Sequence, residues 1–279
     1  MYSFVSHNGL SINEAFLEFL KRHNLADFQT LMDLRSGSTF KKTDIRSVVR
    51  IDIGEGDTGK SFYLKRHHWP WWLKIKAIRE RLKKEDARNE WEKMIMLHSL
   101  GFRTMTPVAF GEKRMAEIPC SALTLTETIE GAEKLESYIP RHFTLPLTTG
   151  KVSEKRALIR KLASLAREFH GKNLNHQDFY LSHLLIRESD GAIFIVDIQR
   201  VHKADTISMH DRIKDIAQIA FSSSLSGIFT KSDFMRFIHV YLAKERLGNA
   251  EKRMIKKICV KVKKIARHTE KLDGKRMVL

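Results

Sequence analysis

With 279 residues, 42% of them hydrophobic and 30% charged, the chain is long enough for two packed lobes and too apolar to be disordered. A surplus of Lys and Arg (50) over Asp and Glu (33) leaves a formal charge of +17, which predicts attraction to a polyanion: nucleic acid, an anionic membrane surface or a phosphorylated substrate. Two cysteines far apart in sequence, Cys120 and Cys259, argue against a disulfide framework and against a cysteine-ligated zinc site, and fit a reducing cytoplasm. The start, MYSFVSHNGLSINEAF, lacks the basic residues and apolar core of a signal peptide. No uncharged run approaches the ~20 residues that span a bilayer. A soluble cytoplasmic protein is expected, with any membrane contact peripheral.

In chain order, INEAFLEFLKRH predicts a short amphipathic helix capped near Ser11 or Asn13. RSVVRIDI and KSFYLKRH predict two strands joined by the turn GEGDTG, an antiparallel hairpin. A helical stretch follows Pro70 and stops at Gly101, and TMTPVAFGE and SALTLTE supply two more strands. From Ser153 the pattern turns helical, with Leu158, Leu162, Leu165 and Phe169 on one face and Gly171 as the stop. A second hairpin is expected where NHQDFYLSHLLI runs through the turn ESDG into AIFIVDI. Helices resume at DRIKDIAQIAFSSSL, at KSDFMRFIHVYLAKERL and in the basic tail EKRMIKKICVKVKKIARHTEKL. The expected fold is α+β and bilobal. A small antiparallel-sheet lobe over residues 1–130 binds the nucleotide phosphates, and a mostly helical lobe over 131–279 carries the catalytic loop and the basic C-terminal helix.

That layout has a chemical meaning. A loop aspartate after a long helix, a tight hairpin, and a second aspartate ending the next strand is how phosphotransferases of the protein-kinase fold hold a nucleotide and its metal. Here these are Asp178 and Asp197, 19 positions apart. The first would orient and deprotonate an acceptor hydroxyl, and the second would ligate Mg²⁺ on the phosphates of ATP. Lys65 in FYLKRH would neutralise the α- and β-phosphates, and Glu90 in the following helix would hold Lys65 by an ion pair. Each of these residue types is common alone; their joint order on the required elements makes the signal.

The chain resembles the lipopolysaccharide core kinases of the Kdo/WaaP/InaA type. The likeness rests on FYLKRH, on NEW, on LGFRTMTPVAFGEK, on LTLTETIEG, on HQDFYLSHLLI and on IVDIQRV, and it spans most of residues 46–245. Its most specific element is His183, five positions after Asp178, where protein kinases carry asparagine. The resemblance implies ATP-dependent phosphorylation of a heptose or Kdo hydroxyl in the lipopolysaccharide inner core. By position, Lys65 would bind phosphates, Glu90 would pair with it, Asp178 would be the base, and Asp197 would hold Mg²⁺, or Mn²⁺ in its place.

Two departures from the family pattern stand out. Gln177 occupies a place where arginine is common, and the phosphate-covering loop would have to come from the segment before residue 46, including RSGSTF. His183 reads either as a weak metal ligand or phosphate donor or as a brace for the loop, since Mg²⁺ prefers oxygen. His176 is expected to be structural. DIQ has no glycine and no Ala-Pro-Glu segment follows, so a constitutively assembled site is expected.

The charge suggests an acidic partner, the core glycolipid, and an anionic surface on the inner face of the cytoplasmic membrane. Trp69, Trp71 and Trp72 beside a basic run suit a membrane interface or packing on the small lobe. In the basic tail, Ile255, Ile258, Val262 and Ile265 at helical spacing suit a docked amphipathic helix. No nucleic-acid module is recognisable. A protein kinase, another small-molecule kinase or a non-catalytic pseudokinase scaffold could carry the same residues, and the need for a carrier or chaperone protein stays open.

Overall fold

A computed structural model gives the fold and describes residues 2–43, 45–56, 59–68, 87–115 and 118–276. The tryptophan-rich segment and most of the helical stretch expected after Pro70 lie outside the described residues. The chain divides into two compact units, Met1–Glu130 and Gly131–Leu279.

Among the described residues, the first unit carries one antiparallel sheet of seven strands in the order β1-β2-β6-β7-β5-β4-β3. The expected hairpin is present as β4 (Arg46–Ile53) and β5 (Lys60–His68), in full register from Arg46 opposite His67 to Ile53 opposite Lys60. β6 (Thr106–Met115) and β7 (Ile118–Glu127) are the two later strands. Two pairings were not expected. β1 (Phe4–His7) and β2 (Leu10–Asn13) form a hairpin at the amino terminus, turning through Asn8 and Gly9, both at positive φ. This Asn-Gly pair has the conformation that matches right-handed strand twist. β3 (Ser38–Lys42) extends the far edge from RSGSTF. The glycine of that segment, Gly37 (φ 109°), permits close approach of strands, since a Cβ there would collide with the Arg50 carbonyl and with Val49. The phosphate-covering turn expected before residue 46 would therefore be the connection from β3 to β4, which has no glycine.

The period of two along β5 sends its residues to opposite faces. Phe62 and Leu64 are fully buried and pack with Phe16 and Leu20 of α1 (Glu14–Arg22) and with Phe28 and Leu31 of α2 (Phe28–Asp33). Burying each such side chain contributes about 1.5–3 kcal/mol. Helix α1 starts at Asn13, whose side chain accepts from the Ala15 amide, one of the two expected caps. Lys65 points to the other face, where α3 (Ala87–Ser99) buries Trp91, Met94 and Leu97 against the sheet.

In the second unit, α4 (Leu135–His142) precedes the long α5 (Thr149–Gly171), which starts four residues before the expected point because Thr148 caps it. A three-stranded sheet orders β11 (Ala192–Ile195), β10 (Leu184–Arg187) and β8 (Ala132–Lys134). A two-stranded pair joins β9 (Leu174–Asn175) to β12 (His202–Lys203). Helices α6 (Met209–Ser224), α7 (Lys231–Leu242) and α8 (Asn249–Arg276) complete the unit. α8 docks on α6 through its apolar stripe, with Met254 and Ile258 buried, while Lys252, Lys256, Lys257, Lys263 and Lys264 stay exposed.

Candidate active site

On the face of β5 that α3 covers, the Lys65 ammonium lies 2.5 Å from both carboxylate oxygens of Glu90. Glu90 is buried, at 3% exposure, and Lys65 nearly so, at 15%. Pleat and helix phase cause this meeting: Lys65 has the opposite parity to Phe62 and Leu64, and Glu90 sits one residue before Trp91 on the buried side of α3. An unpaired carboxylate at this depth would be costly, so each partner fixes the other's position.

The second cluster is built on the connection from α5 to β10. After the α5 cap the chain takes positive φ at Asn173 (58°), passes through β9, and takes positive φ again at Gln177 (64°), which turns Asp178 outward. This strained path is held from behind by α6. Buried Asp215 accepts from the backbone amides of His176 (2.8 Å) and Gln177 (3.2 Å), and His170 donates to the same carboxylate through Nε2 (3.3 Å). Gln218 accepts from the Phe179 amide (2.9 Å) and donates to the Gln177 carbonyl (2.7 Å), and Ser222 accepts from the Leu181 amide (3.1 Å). Side-chain acceptors thus replace the strand or helix partners that this loop lacks.

His176 is fully buried between the loop and the β11 exit, donating from Nε2 to the Val196 carbonyl at 3.2 Å and stacking on Phe179. Burial pushes its imidazole below the usual histidine range. Its contacts link the two halves of the site backbone.

At the surface of the loop, Arg200 donates from Nη1 to Asp178 Oδ2 at 2.8 Å. His183 donates from Nδ1 to the Asp178 backbone carbonyl at 2.8 Å, so its other nitrogen carries the lone pair when the ring is neutral. That nitrogen, Nε2, faces the Asp197 carboxylate at 3.6 Å. Asp197 is itself at positive φ (53°), the strand-end turn that aims its half-exposed side chain at His183. Lys214 is the neighbour of Asp215 on α6. Burial pushes its ammonium below the usual lysine range, and the carboxylates of Asp178 and Asp215 pull it back.

For a divalent cation the cluster offers an imidazole lone pair and a carboxylate. Cis ligands on an octahedral Mg²⁺ stand about 3 Å apart, so a separation of 3.6 Å needs only slight closing. Among the described residues no group of three or more His, Cys, Asp or Glu could hold a metal ion. One carboxylate, with phosphate oxygens and water filling the remaining positions, is a coordination Mg²⁺ commonly takes with nucleotides, and Asp197 supplies it, while the imidazole of His183 is a donor better suited to a softer ion such as Mn²⁺. The donor set fits.

Among the five residues singled out from sequence, Lys65 and Glu90 meet in the first unit, and Asp178, His183 and Asp197 meet in the second. Arg200, Lys214, Asp215, Gln218 and Ser222 were not foreseen. A signal existed for three of them: Asp215, Gln218 and Ser222 recur at helical spacing on a helix face that is otherwise apolar, a pattern that requires buried partners.

The profile of the lipopolysaccharide kinase (Kdo/WaaP) family matches residues 52–241, more than half of the chain. The chain belongs to that family. The lipopolysaccharide core heptose(I) kinase WaaP of Escherichia coli is 30% identical over 215 residues, covering 74% of this chain and 78% of the relative. WaaP of Escherichia coli strain K12 is 26% identical over 85% of this chain and 90% of its own length. WaaP of Pseudomonas aeruginosa PAO1 is 26% identical over 74% of this chain. A solved structure of WaaP in complex with acyl carrier protein superposes with a TM-score of 0.67 at 24% identity, covering 94% of this chain and 98% of that one. At that identity the likeness establishes the fold, which is the α+β, protein-kinase-like one. This member of the lipopolysaccharide kinase family is accordingly a phosphotransferase with an alcohol group as acceptor.

Proposed function

We propose that the chain uses ATP to phosphorylate a heptose or Kdo hydroxyl of the lipopolysaccharide inner core. The observation that carries this is the cluster around Asp178, where a loop carboxylate is ion-paired to Arg200 and His183 is turned from the Asp178 carbonyl toward Asp197. The relatives are named for heptose(I), which makes heptose the first acceptor to test.

Asp178 receives the acceptor proton as the new O–P bond forms and the bond from the γ-phosphorus to the β,γ-bridging oxygen breaks, releasing ADP. Arg200, bound to Oδ2, fixes the carboxylate orientation and leaves Oδ1 to the acceptor. Lys65, held by Glu90, neutralises phosphate oxygens. Asp197, with His183 beside it, would hold Mg²⁺, which would supply neutralisation of the phosphate charge. The test is transfer from radiolabelled ATP to dephosphorylated core glycolipid. Label in the glycolipid supports the proposal, and no label from folded, ATP-binding protein overturns it.

His183 should act on the metal step. His183→Asn is expected to lower transfer with Mg²⁺ by about 10- to 100-fold and to change the ratio of Mn²⁺ to Mg²⁺ activity, as loss of a ligand or its support does. An unchanged ratio and rate would leave His183 only a brace.

Two partners follow from the same proposal. The net charge and the exposed basic face of α8 suit peripheral association with the anionic inner face of the cytoplasmic membrane, at about 1 kcal/mol for each lysine near the surface. Among the described residues no helix is long and apolar enough to cross a membrane. An acyl carrier protein is the protein partner, on the likeness to the WaaP complex and on a cavity of about 360 Å³ lined by Leu162, Ile216, Ile219, Phe234, Phe237 and Val262, apolar enough for an acyl chain. Co-elution with acylated but not apo acyl carrier protein, and co-sedimentation with anionic but not neutral vesicles, are the expected results.

A further inference from the structure

A cavity of about 490 Å³ opens in the first unit between α2, the turn from β3 to β4, and the strands behind them, within the range of about 300–1,000 Å³ usual for small-molecule sites. It lies on the side of the sheet turned away from Lys65: its wall residue Arg66 shares the parity of Phe62 and Leu64, which pack under α1 and α2. Arg66 is anchored there. Its Nη1 donates to the Met32 and Leu34 carbonyls at 3.0 and 2.6 Å, and its Nε donates to Ser47 Oγ at 3.3 Å. These bonds fix the guanidinium in the wall and use none of the Nη2 donors. The side chain is half-buried, and among the described residues no carboxylate makes an ion pair with it. Asp33, the one carboxylate among the described residues of the wall, accepts instead from Gln29 at 2.9 Å. Lys42 and His68 border the same cavity and add an ammonium and an imidazole. Arg46 borders it too, but its place opposite His67 turns its side chain to the Lys65 face. A partly desolvated cation without a counter-ion is stabilised when an anion enters.

We propose that this cavity binds a phosphate group, carried on the headgroup of an anionic lipid, and so anchors the first unit to a membrane surface. Phosphate presents several oxygens in different directions, so donors arriving from β3 and β5 can meet it together, and the fork of Arg66 suits it best. The sequence favours a lipid as its source. His68 is followed directly by Trp69, Pro70, Trp71 and Trp72 and then by six Lys and Arg within residues 73–84, the composition of a segment that lies at a lipid–water boundary. The lipid part of the inference rests on the proposed peripheral association; the phosphate site itself depends neither on that nor on the kinase function. It is also separate from the basic face of α8, which belongs to the second unit.

The test uses the full chain with its nucleotide site saturated by a non-hydrolysable ATP analogue. One arm titrates inorganic phosphate by calorimetry. The other measures co-sedimentation with phosphatidylcholine vesicles containing phosphatidic acid, against vesicles brought to the same surface potential with cholesteryl hemisuccinate, whose anion is a carboxylate. Wild type is expected to bind phosphate and to prefer the phosphatidic acid vesicles. Lys42→Gln and His68→Gln should each weaken both by about fivefold, the loss of one basic contact at a charged surface. Lys42→Arg should restore them. Arg66→Lys should weaken them further; because Arg66 also holds the end of α2, melting curves accompany that variant and the two glutamine variants carry the decision. No phosphate binding by wild type overturns the proposal, as does phosphate binding that both glutamine variants leave unchanged or a loss that follows the affinity for the ATP analogue. Phosphate binding without preference between the vesicles supports the site and overturns the lipid as its source. Vesicle binding lost in Lys256→Gln/Lys257→Gln and kept in Lys42→Gln and His68→Gln would assign the membrane to α8 alone and overturn the anchor. No vesicle binding at all, with phosphate binding sensitive to Lys42 and His68, would remove the peripheral association and support the phosphate site.

Discussion

Asp178→Asn is expected to lower phosphoryl transfer by about 10²- to 10⁴-fold, the contribution of a positioned general base, while ATP affinity stays within about twofold. The substitution is nearly isosteric, and the amide oxygen still accepts from Arg200, so the 2.8 Å contact and the course of the loop survive. What disappears is an oxygen basic enough to take the acceptor proton. Single-turnover transfer to core glycolipid, with circular dichroism and ATP binding in parallel, separates this from misfolding. Transfer above a tenth of the wild-type rate would show that Asp178 only orients the acceptor, and would move the proton to another group of the cluster.

The parts of this site that were legible in the sequence are those whose signal is local. Lys65 follows from strand alternation in FYLKRH, Glu90 from its place beside Trp91 on an amphipathic helix, and Asp197 from the end of a strand after a glycine turn. The β4–β5 hairpin and helices α5 to α8 were legible for the same reason, with boundaries shifted only where a cap such as Thr148 decided them. The amino-terminal hairpin was missed although Asn8-Gly9 is a strong turn signal, because strands of four residues carry too few alternations to register. Arg200 and Lys214 were illegible for a different reason. Their relation to Asp178 is set by how α6 and the turn after Asp197 pack in three dimensions, and neither residue differs in sequence from the many other basic residues of the chain. The same holds for the support of the loop, which comes from residues about 40 positions further on.

That support predicts the largest stability effect. Asp215→Ala is expected to destabilise the second unit by about 3–5 kcal/mol, the cost of breaking a buried charged hydrogen-bond network, and to lower its melting temperature by roughly 10 °C. Two amides lose their acceptor, His176 in a place closed to solvent and Gln177 in a half-buried one, and Gln177 is already at positive φ. The loss runs further back, because His170 donates to Asp215 through Nε2 and accepts from the Tyr241 hydroxyl at its other nitrogen, 2.7 Å away. Removing the carboxylate therefore leaves an imidazole N–H without its acceptor in the core as well. Asp215→Asn keeps one acceptor oxygen, which can serve one amide but not both, and its own NH₂ group would face the second. A smaller loss of stability is expected, with transfer still reduced because Asp178 is no longer held. Thermal melting and amide exchange at residues 176–178 measure the two effects separately. Unchanged exchange in Asp215→Ala would mean that Gln218 and Ser222 alone hold the loop, and that the carboxylate serves the His170–Tyr241 contact. Protection lost at those amides, with α6 itself still protected, would establish that the position of Asp178 is set from behind by this one side chain.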